Sequence, residues 1–247
     1  MRALYFKEIR SFLSSIIGYV FILIFLITSG LFHWVISGET GTNLLEGAEA
    51  DLIPFFNLSP LIFLVLIPAI TMRSIAEERR TGTIELLFTR PISDLKILLA
   101  KYFAGVTLLI VALAPTFVYY ISMYYLGNPV GVIDAGATFT SYLGLILLGA
   151  TFVAIGIFAS ALTSSQIVAF ILAMFLCWFF YQGLDLLGSF NLMGGFDKII
   201  QKTGMTAHYQ FIMKGIIDTK DVVYFLSMIV LFMYAALTVI KSMKKYI

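Results

Sequence analysis

"MRSIAEERRTGTIELLFTRPISDLKILLAKY", residues 72–102, is the most charged long stretch of this 247-residue chain. Strongly apolar sequence flanks it on both sides. The whole chain is 60% hydrophobic and only 12% charged, whereas a soluble domain carries about 25% charged residues. A soluble core of this size does not need so much apolar surface, so the sequence predicts a protein embedded in lipid.

Charge-free stretches predict the number of membrane spans. Asp, Glu, Lys and Arg are absent from residues 11–38, 52–72, 102–133, 135–184 and 222–240. A helix needs about 20 apolar residues to cross a bilayer, so the longest stretch must hold two spans, divided at its small polar residues 160–166. We therefore predict an all-α polytopic membrane protein, a single transmembrane domain over residues 1–247, with six spans at about 15–36, 58–76, 97–125, 138–161, 166–187 and 221–241.

The distribution of basic residues predicts the orientation. Twelve of the 16 Lys and Arg residues lie before span one, between spans two and three or at their adjoining ends, or at and after the end of span six. Basic loops stay on the cytoplasmic side, so both termini and the charged loop are expected there. The apolar stretch after Arg10 is too long for a cleaved signal peptide and is expected to be a retained span. Residues 188–219 are too polar to cross and are expected to form short helices on the outer side.

The N-terminal residues predict an amphipathic helix over residues 2–14. Apolar side chains recur there at helical spacing on one face, and basic ones fall on the other, which suits the headgroup layer of the cytoplasmic leaflet. This helix is either a simple positively charged anchor or a surface used by a partner. The predicted interfacial residues are Tyr5, Phe6, Lys7, Ile9, Arg10 and Phe12.

The sequence carries no recognisable catalytic or metal-binding chemistry. It has no phosphate-binding loop of the form G-x-x-x-x-G-K-[ST] and no H-E-x-x-H. The single cysteine, Cys177, excludes a disulfide within the chain. The Glu-Glu-x-x-x-Arg motif of intramembrane CAAX-type proteases fails at Gly82. His33 and His208 are expected to be interfacial side chains near the outer face, and no catalytic, cofactor or metal residue is predicted.

The charged stretch predicts a projecting loop. Arg73 and Glu77 are four residues apart, a helical spacing for opposite charges, which predicts that span two continues as a helix to a turn at Gly82, the residue best able to take a positive φ. Thr83 is a possible cap for a second short helix, which Pro91 ends. The apolar middle of that helix needs a cover, which is either the bilayer surface or a cytoplasmic protein.

Three stretches of the sequence resemble the ABC type-2 permeases. "SIAEERRTGTIELLFTRPIS", residues 74–93, is similar to their cytoplasmic loop, which often reads Glu-Glu-x-x-x-Gly-Thr-hydrophobic-Glu-Leu-Leu followed by Pro. Residues 164–181 and 207–232 are similar to the fifth span and to the region leading into the last one. The first 30 residues and the acidic loop at residues 43–60 look most like the gliding-motility-associated permease subunit of Bacteroidetes-type bacteria.

This resemblance implies an ABC type-2 exporter permease fold in a bacterial inner membrane, with residues 2–14 as an elbow helix and residues 77–96 as a coupling loop. The implied partners are a cytoplasmic ABC ATPase, which would hold ATP and Mg²⁺, a second permease chain in a homo- or heterodimer, and membrane lipid; no nucleic acid is implied. The implied ATPase-coupling residues are Glu77, Glu78, Arg79, Arg80, Thr81, Gly82, Thr83, Ile84, Glu85, Leu86, Leu87 and Phe88.

Two other functions fit the same sequence. One is an ABC permease for another cargo, such as copper-site maturation or ion export. The other is a membrane scaffold that moves no solute. The mid-membrane stretches contain no Asp, Glu, Lys or Arg, which usually mark an ion or proton path, so a proton- or ion-coupled carrier is disfavoured.

Overall fold

The computed structural model describes residues 1–36, 42–47, 50–88, 92–190 and 201–244, with the backbone alone at residues 86–88. Over these ranges the chain is helical and contains no strand. The helices are α1 (Arg2–Ser14), α2 (Ile16–Gly30), α3 (Ile53–Thr71), α4 (Ala76–Arg80), α5 (Thr83–Phe88), α6 (Asp94–Leu113), α7 (Phe117–Leu126), α8 (Ala135–Leu162), α9 (Gln166–Trp178), α10 (Leu184–Ser189), α11 (Met205–Met213) and α12 (Thr219–Lys244).

Within the described residues, six helical stretches are long and apolar enough to cross a membrane, which confirms the all-α, six-span prediction. Span two begins at Ile53, before the residues predicted for it, because Pro54 falls in the first turn of α3, where its missing N–H costs no hydrogen bond. The six stretches are Ile16–Val35, Ile53–Arg80, Asp94–Leu126, Ala135–Leu162, Gln166–Ser189 and Thr219–Lys244.

Span four, α8, lies at the centre of the bundle. It packs against helices of spans two, three, five and six, and most of its length is buried. Small residues allow this close approach, since a methyl group added at Gly149 or Gly156 would overlap Leu109 or Thr71. Its C-terminal residues are thereby fixed against the end of α3, next to the charged loop.

Three spans contain irregular turns. Wide π turns occupy Leu31–Val35 in span one and Phe179–Gly183 in span five. In span three a tight turn at Ala114–Thr116 separates α6 from α7. Pro115 explains this last break, because proline has no N–H to continue the hydrogen-bond ladder of α6.

His33 is buried inside the protein, so the interfacial position predicted for it is wrong. Its ring lies between Phe55 and Tyr119, at centroid distances of 5.6 and 6.3 Å, and its Nδ1 is 2.5 Å from the carbonyl oxygen of Ser29. His33 lies within the π turn of span one and is completely buried.

His208 lies near the protein surface, on α11. Its Nδ1 is 2.6 Å from Asp221 Oδ1 and its Nε2 is 2.9 Å from the carbonyl oxygen of Lys202. The ring also stacks on Tyr224 with the centroids 4.0 Å apart. These contacts fasten α11 to the first turns of α12, at the opposite end of the bundle from the charged loop.

Candidate functional site at the basic end of the bundle

We call the end of the bundle that carries α1, the charged stretch and the last turn of α12 the basic end. Here the structure corrects the expectation of a continuous helix from span two to Gly82. The helix α3 ends at Thr71, residues 72–75 form a turn, and only then does α4 begin. The spacing of Arg73 and Glu77 therefore does not place them on one helical face.

Ser160, a buried residue of α8, holds this break. Its hydroxyl donates to the carbonyl oxygen of Met72 at 2.9 Å and accepts from the N–H groups of Ile75 and Ala76, each at 3.0 Å. A hydroxyl has one donor and two acceptor positions, so all of them are used. Backbone groups that a broken helix would leave unsatisfied thus find their partner on another span.

The α4–α5 turn is stabilised by its own threonines. Thr81 donates its hydroxyl to the carbonyl oxygen of Glu77 at 2.8 Å and lies 2.9 Å from the hydroxyl of Thr83. Gly82 has a φ of +72°, the positive value predicted for it. Thr83 is the first residue of α5 rather than its cap, and its hydroxyl donates to the carbonyl oxygen of Glu78. Pro91, predicted to end this helix, lies outside the described residues.

Lys101, on α6, joins three segments of the basic end. Its ammonium donates to Glu78 Oε1 at 2.7 Å, to the carbonyl oxygen of Ser74 at 2.7 Å and to Glu8 Oε1 at 3.4 Å. An ammonium has three donors, and each finds an acceptor, one on α4, one in the preceding turn and one on α1. The lysine side chain is only 3% exposed, so this network links the charged loop to α1 and α6 through a nearly dry contact.

The predicted interfacial residues of α1 divide between two sides of that helix. Phe6 and Arg10 are exposed, as is Lys7. Tyr5 is half-buried, and its hydroxyl is 2.8 Å from that of Thr107 on α6. Ile9 and Phe12 are also half-buried, so α1 packs against the protein along one side and leaves the other uncovered.

The predicted coupling residues also differ in exposure. Arg79 donates to the carbonyl oxygen of Ala161 at 2.8 Å, which fastens α4 to α8. Ile84, expected to belong to an outward apolar run, is only 7% exposed and packs into the main hydrophobic core. Among residues 77–85, the exposed ones are Arg80, Thr81, Gly82, Thr83 and Glu85.

Residues 2–246 match the model of the family described as ABC-2 family transporter protein. The chain belongs to the ABC-2 transporter family. No curated protein matches it significantly. Members of this family are multi-pass membrane components and generally work with an ABC ATPase, in agreement with the coarser part of the resemblance drawn from the sequence.

Three contacts of this ABC-2 permease were missed from its sequence. Lys101 was counted only among the basic residues of the charged loop, yet it lies inside the predicted third span, where a charge needs a partner; Glu8 was given no role. Ser160 lies in the small polar segment that divides spans four and five, which was interpreted only as a boundary. In the permease Lys101 contacts Glu78 of the loop and joins it to Glu8 of α1, while Ser160 holds the turn that precedes α4.

Proposed function

We propose that this chain is the membrane-spanning permease subunit of an ATP-driven, exporter-like complex in a bacterial inner membrane. Its partners are a separate cytoplasmic ABC ATPase, which binds ATP and Mg²⁺, and a second permease chain. Both termini and the basic end face the cytoplasm, in keeping with the placement of 12 of 16 basic residues. The observation that carries the proposal is a loop anchored at its base and exposed at its tip.

The anchoring contacts suggest how movement passes from the ATPase to the spans. ATP binding to the ATPase favours one of two arrangements of the complex, and the loop moves with the surface on which it docks. Lys101 passes that movement to α1 and α6, while Ser160 and Arg79 pass it to α8. Because α8 is the central helix, a displacement of its end affects the packing of its neighbours.

Within the ABC-2 family, we propose that this chain is a gliding-motility-associated permease. It is supported by the first 30 residues and by the acidic loop at residues 43–60, which are similar to the subunit of that name. Transport of another cargo, or a scaffold role without transport, would use the same docking loop. Stimulation of the ATPase by a candidate cargo would favour transport over a scaffold role.

A double substitution in the loop tests docking. Leu86→Ala with Leu87→Ala should weaken capture of the ATPase by roughly thirtyfold, because truncated interface anchors often cost about 2 kcal/mol. Insertion into the membrane should be unchanged. The measurement is a pull-down of the ATPase at matched membrane levels of the permease.

The control is Leu226→Ala with Leu231→Ala, two leucines of span six that are 49% and 56% exposed. This variant removes the same atoms from an apolar surface far from the loop and should capture the ATPase normally. Undiminished capture by the loop variant would mean that residues 86 and 87 only rest on lipid.

A further inference from the structure

A pocket of about 200 Å³, with charged residues on one side and apolar residues on the other, opens beside the Lys101 network. It lies between α1, the turn that follows α3 and the start of α6, with Phe12, Ile17 and Ile70 on its apolar side. The contacts that anchor the charged loop do not fill it.

The amphipathic helix α1 beside the pocket indicates that the pocket lies at the depth of lipid headgroups. The helix α1 forms one wall and leaves Phe6 and Leu13 exposed along its outer side, followed by Ile16, which is 81% exposed. Exposed apolar residues on a basic amphipathic helix indicate contact with the boundary between headgroups and acyl chains. The apolar side of the pocket belongs partly to the first turn of span one and the last turn of span two, where the hydrocarbon region begins.

The charges of the pocket balance. Three cations line it, Lys7, Arg73 and Lys101, together with three carboxylates, Glu8, Glu77 and Glu78. Clusters that attract anionic lipids carry several unopposed basic residues, and this pocket has no such excess. Its overall neutrality fits a ligand that itself carries one positive and one negative group.

Two of these charges are available to a ligand. Lys101 pairs with Glu8 and Glu78, and the exposed Lys7 lies 3.7 Å from Glu8 Oε1. The side chains of Arg73 and Glu77 form no hydrogen bond or ion pair with any residue that the structure describes. The turn at residues 72–75 separates these two side chains, which a continuous helix would have paired. A guanidinium and a carboxylate thus border the same cavity without a partner.

We propose that this pocket binds the headgroup of a zwitterionic phospholipid from the adjacent leaflet, one in which a phosphate is joined to a primary ammonium. The planar fork of Arg73 matches phosphate oxygens, and Lys7 adds a second cation at the rim. Glu77 accepts hydrogen bonds from the ammonium. The lipid then occupies the space between α1 and the charged loop, the two segments that Lys101 links.

Lipid retention by the full-length purified chain tests this proposal. Native mass spectrometry compares the protein after exchange into phosphatidylethanolamine, phosphatidylcholine and phosphatidylglycerol. Phosphatidylethanolamine should be retained about tenfold more strongly than phosphatidylcholine, because methylation removes the N–H donors and a hydrogen bond to a charged group is worth about one decade in affinity. Equal retention of the two lipids would overturn the proposal.

Two single substitutions test which side chain contacts the ammonium and which contacts the phosphate of the lipid. Glu77→Gln should remove the preference for the primary ammonium, while Arg73→Gln should weaken retention of both zwitterionic lipids. Neither side chain has a partner to lose, so the unfolding midpoint should not change. The control is Asp218→Asn with Lys220→Gln, an exposed ion pair at the opposite end of the bundle, and it should retain lipid as the original chain does.

A competition experiment with inorganic phosphate shows whether the ligand is a lipid or a soluble anion. Inorganic phosphate at millimolar concentration should not displace phosphatidylethanolamine, since the acyl chains add apolar contacts that a free ion lacks. Displacement that depends on Arg73 would identify the ligand as a soluble phosphate and overturn the lipid assignment. An unchanged lipid preference in Glu77→Gln would likewise contradict the proposed contact.

Discussion

Replacing Lys101 with methionine should strongly destabilise the basic end of the bundle. The substitution keeps the length of the side chain but removes the cation that Glu8 and Glu78 share, which leaves Glu8 with only the exposed Lys7 at 3.7 Å. Breaking a buried ion pair costs about 3–5 kcal/mol; we expect about 3 kcal/mol, because both carboxylates are partly exposed. The measurement is the free energy of unfolding in a detergent titration.

A triple variant distinguishes the electrostatic contribution of Lys101 to stability from the contribution of its packing. Adding Glu8→Gln and Glu78→Gln to Lys101→Met removes the charges of both carboxylates that lost Lys101 and should recover most of the lost stability. If the triple variant is as unstable as Lys101→Met alone, the lysine acts through its packing rather than through its charge. Wild-type stability of Lys101→Met would show that the three-way contact contributes little.

Ser160→Ala should also destabilise the basic end. It removes one buried hydroxyl and leaves the N–H groups of Ile75 and Ala76 without their acceptor. Each buried group left unsatisfied costs about 1–3 kcal/mol, so we expect a loss of roughly 2–4 kcal/mol. Since these groups define where α4 begins, amide hydrogen exchange at residues 75 and 76 should also rise sharply.

Ser227→Ala is the matched control. The Ser227 hydroxyl donates to the carbonyl oxygen of Tyr224 within its own helix and is exposed, so no buried group depends on it. Stability and exchange should stay close to those of the original chain. Equal effects of the two substitutions would contradict a special role for Ser160.

The sequence predicted the features that depend on composition and local pattern. Long charge-free stretches are sufficient to recognise six spans, and the amphipathic pattern of residues 2–14 coincides with the helix α1. The positive φ of Gly82 also follows from local chemistry, because the turn needs a backbone conformation that other residues adopt at a cost.

Contacts between distant segments could not be predicted in this way. The hydroxyl of Ser160 binds the backbone at the helix break in span two, although it lies 84–88 residues away along the chain. No sequence pattern near Arg73 indicates this break. Similarly, the inward position of Ile84 depends on the space between α6 and α12 rather than on its apolar neighbours. The buried His33 was missed because a π turn changes the direction of side chains without any distinct signal in the sequence.

The central claim is that the exposed tip of the charged loop contacts an ABC ATPase, and photo-crosslinking tests it most directly. A photoreactive amino acid replaces Glu85, which is exposed at the basic end, and in a separate variant replaces Lys220, whose side chain is 86% exposed at the opposite end. In intact membranes the probe at position 85 should form a covalent adduct with a protein that carries a phosphate-binding loop, and the probe at position 220 should not. Absence of that adduct at position 85 while the ATPase still copurifies, or equal adducts from both positions, would contradict docking through this loop.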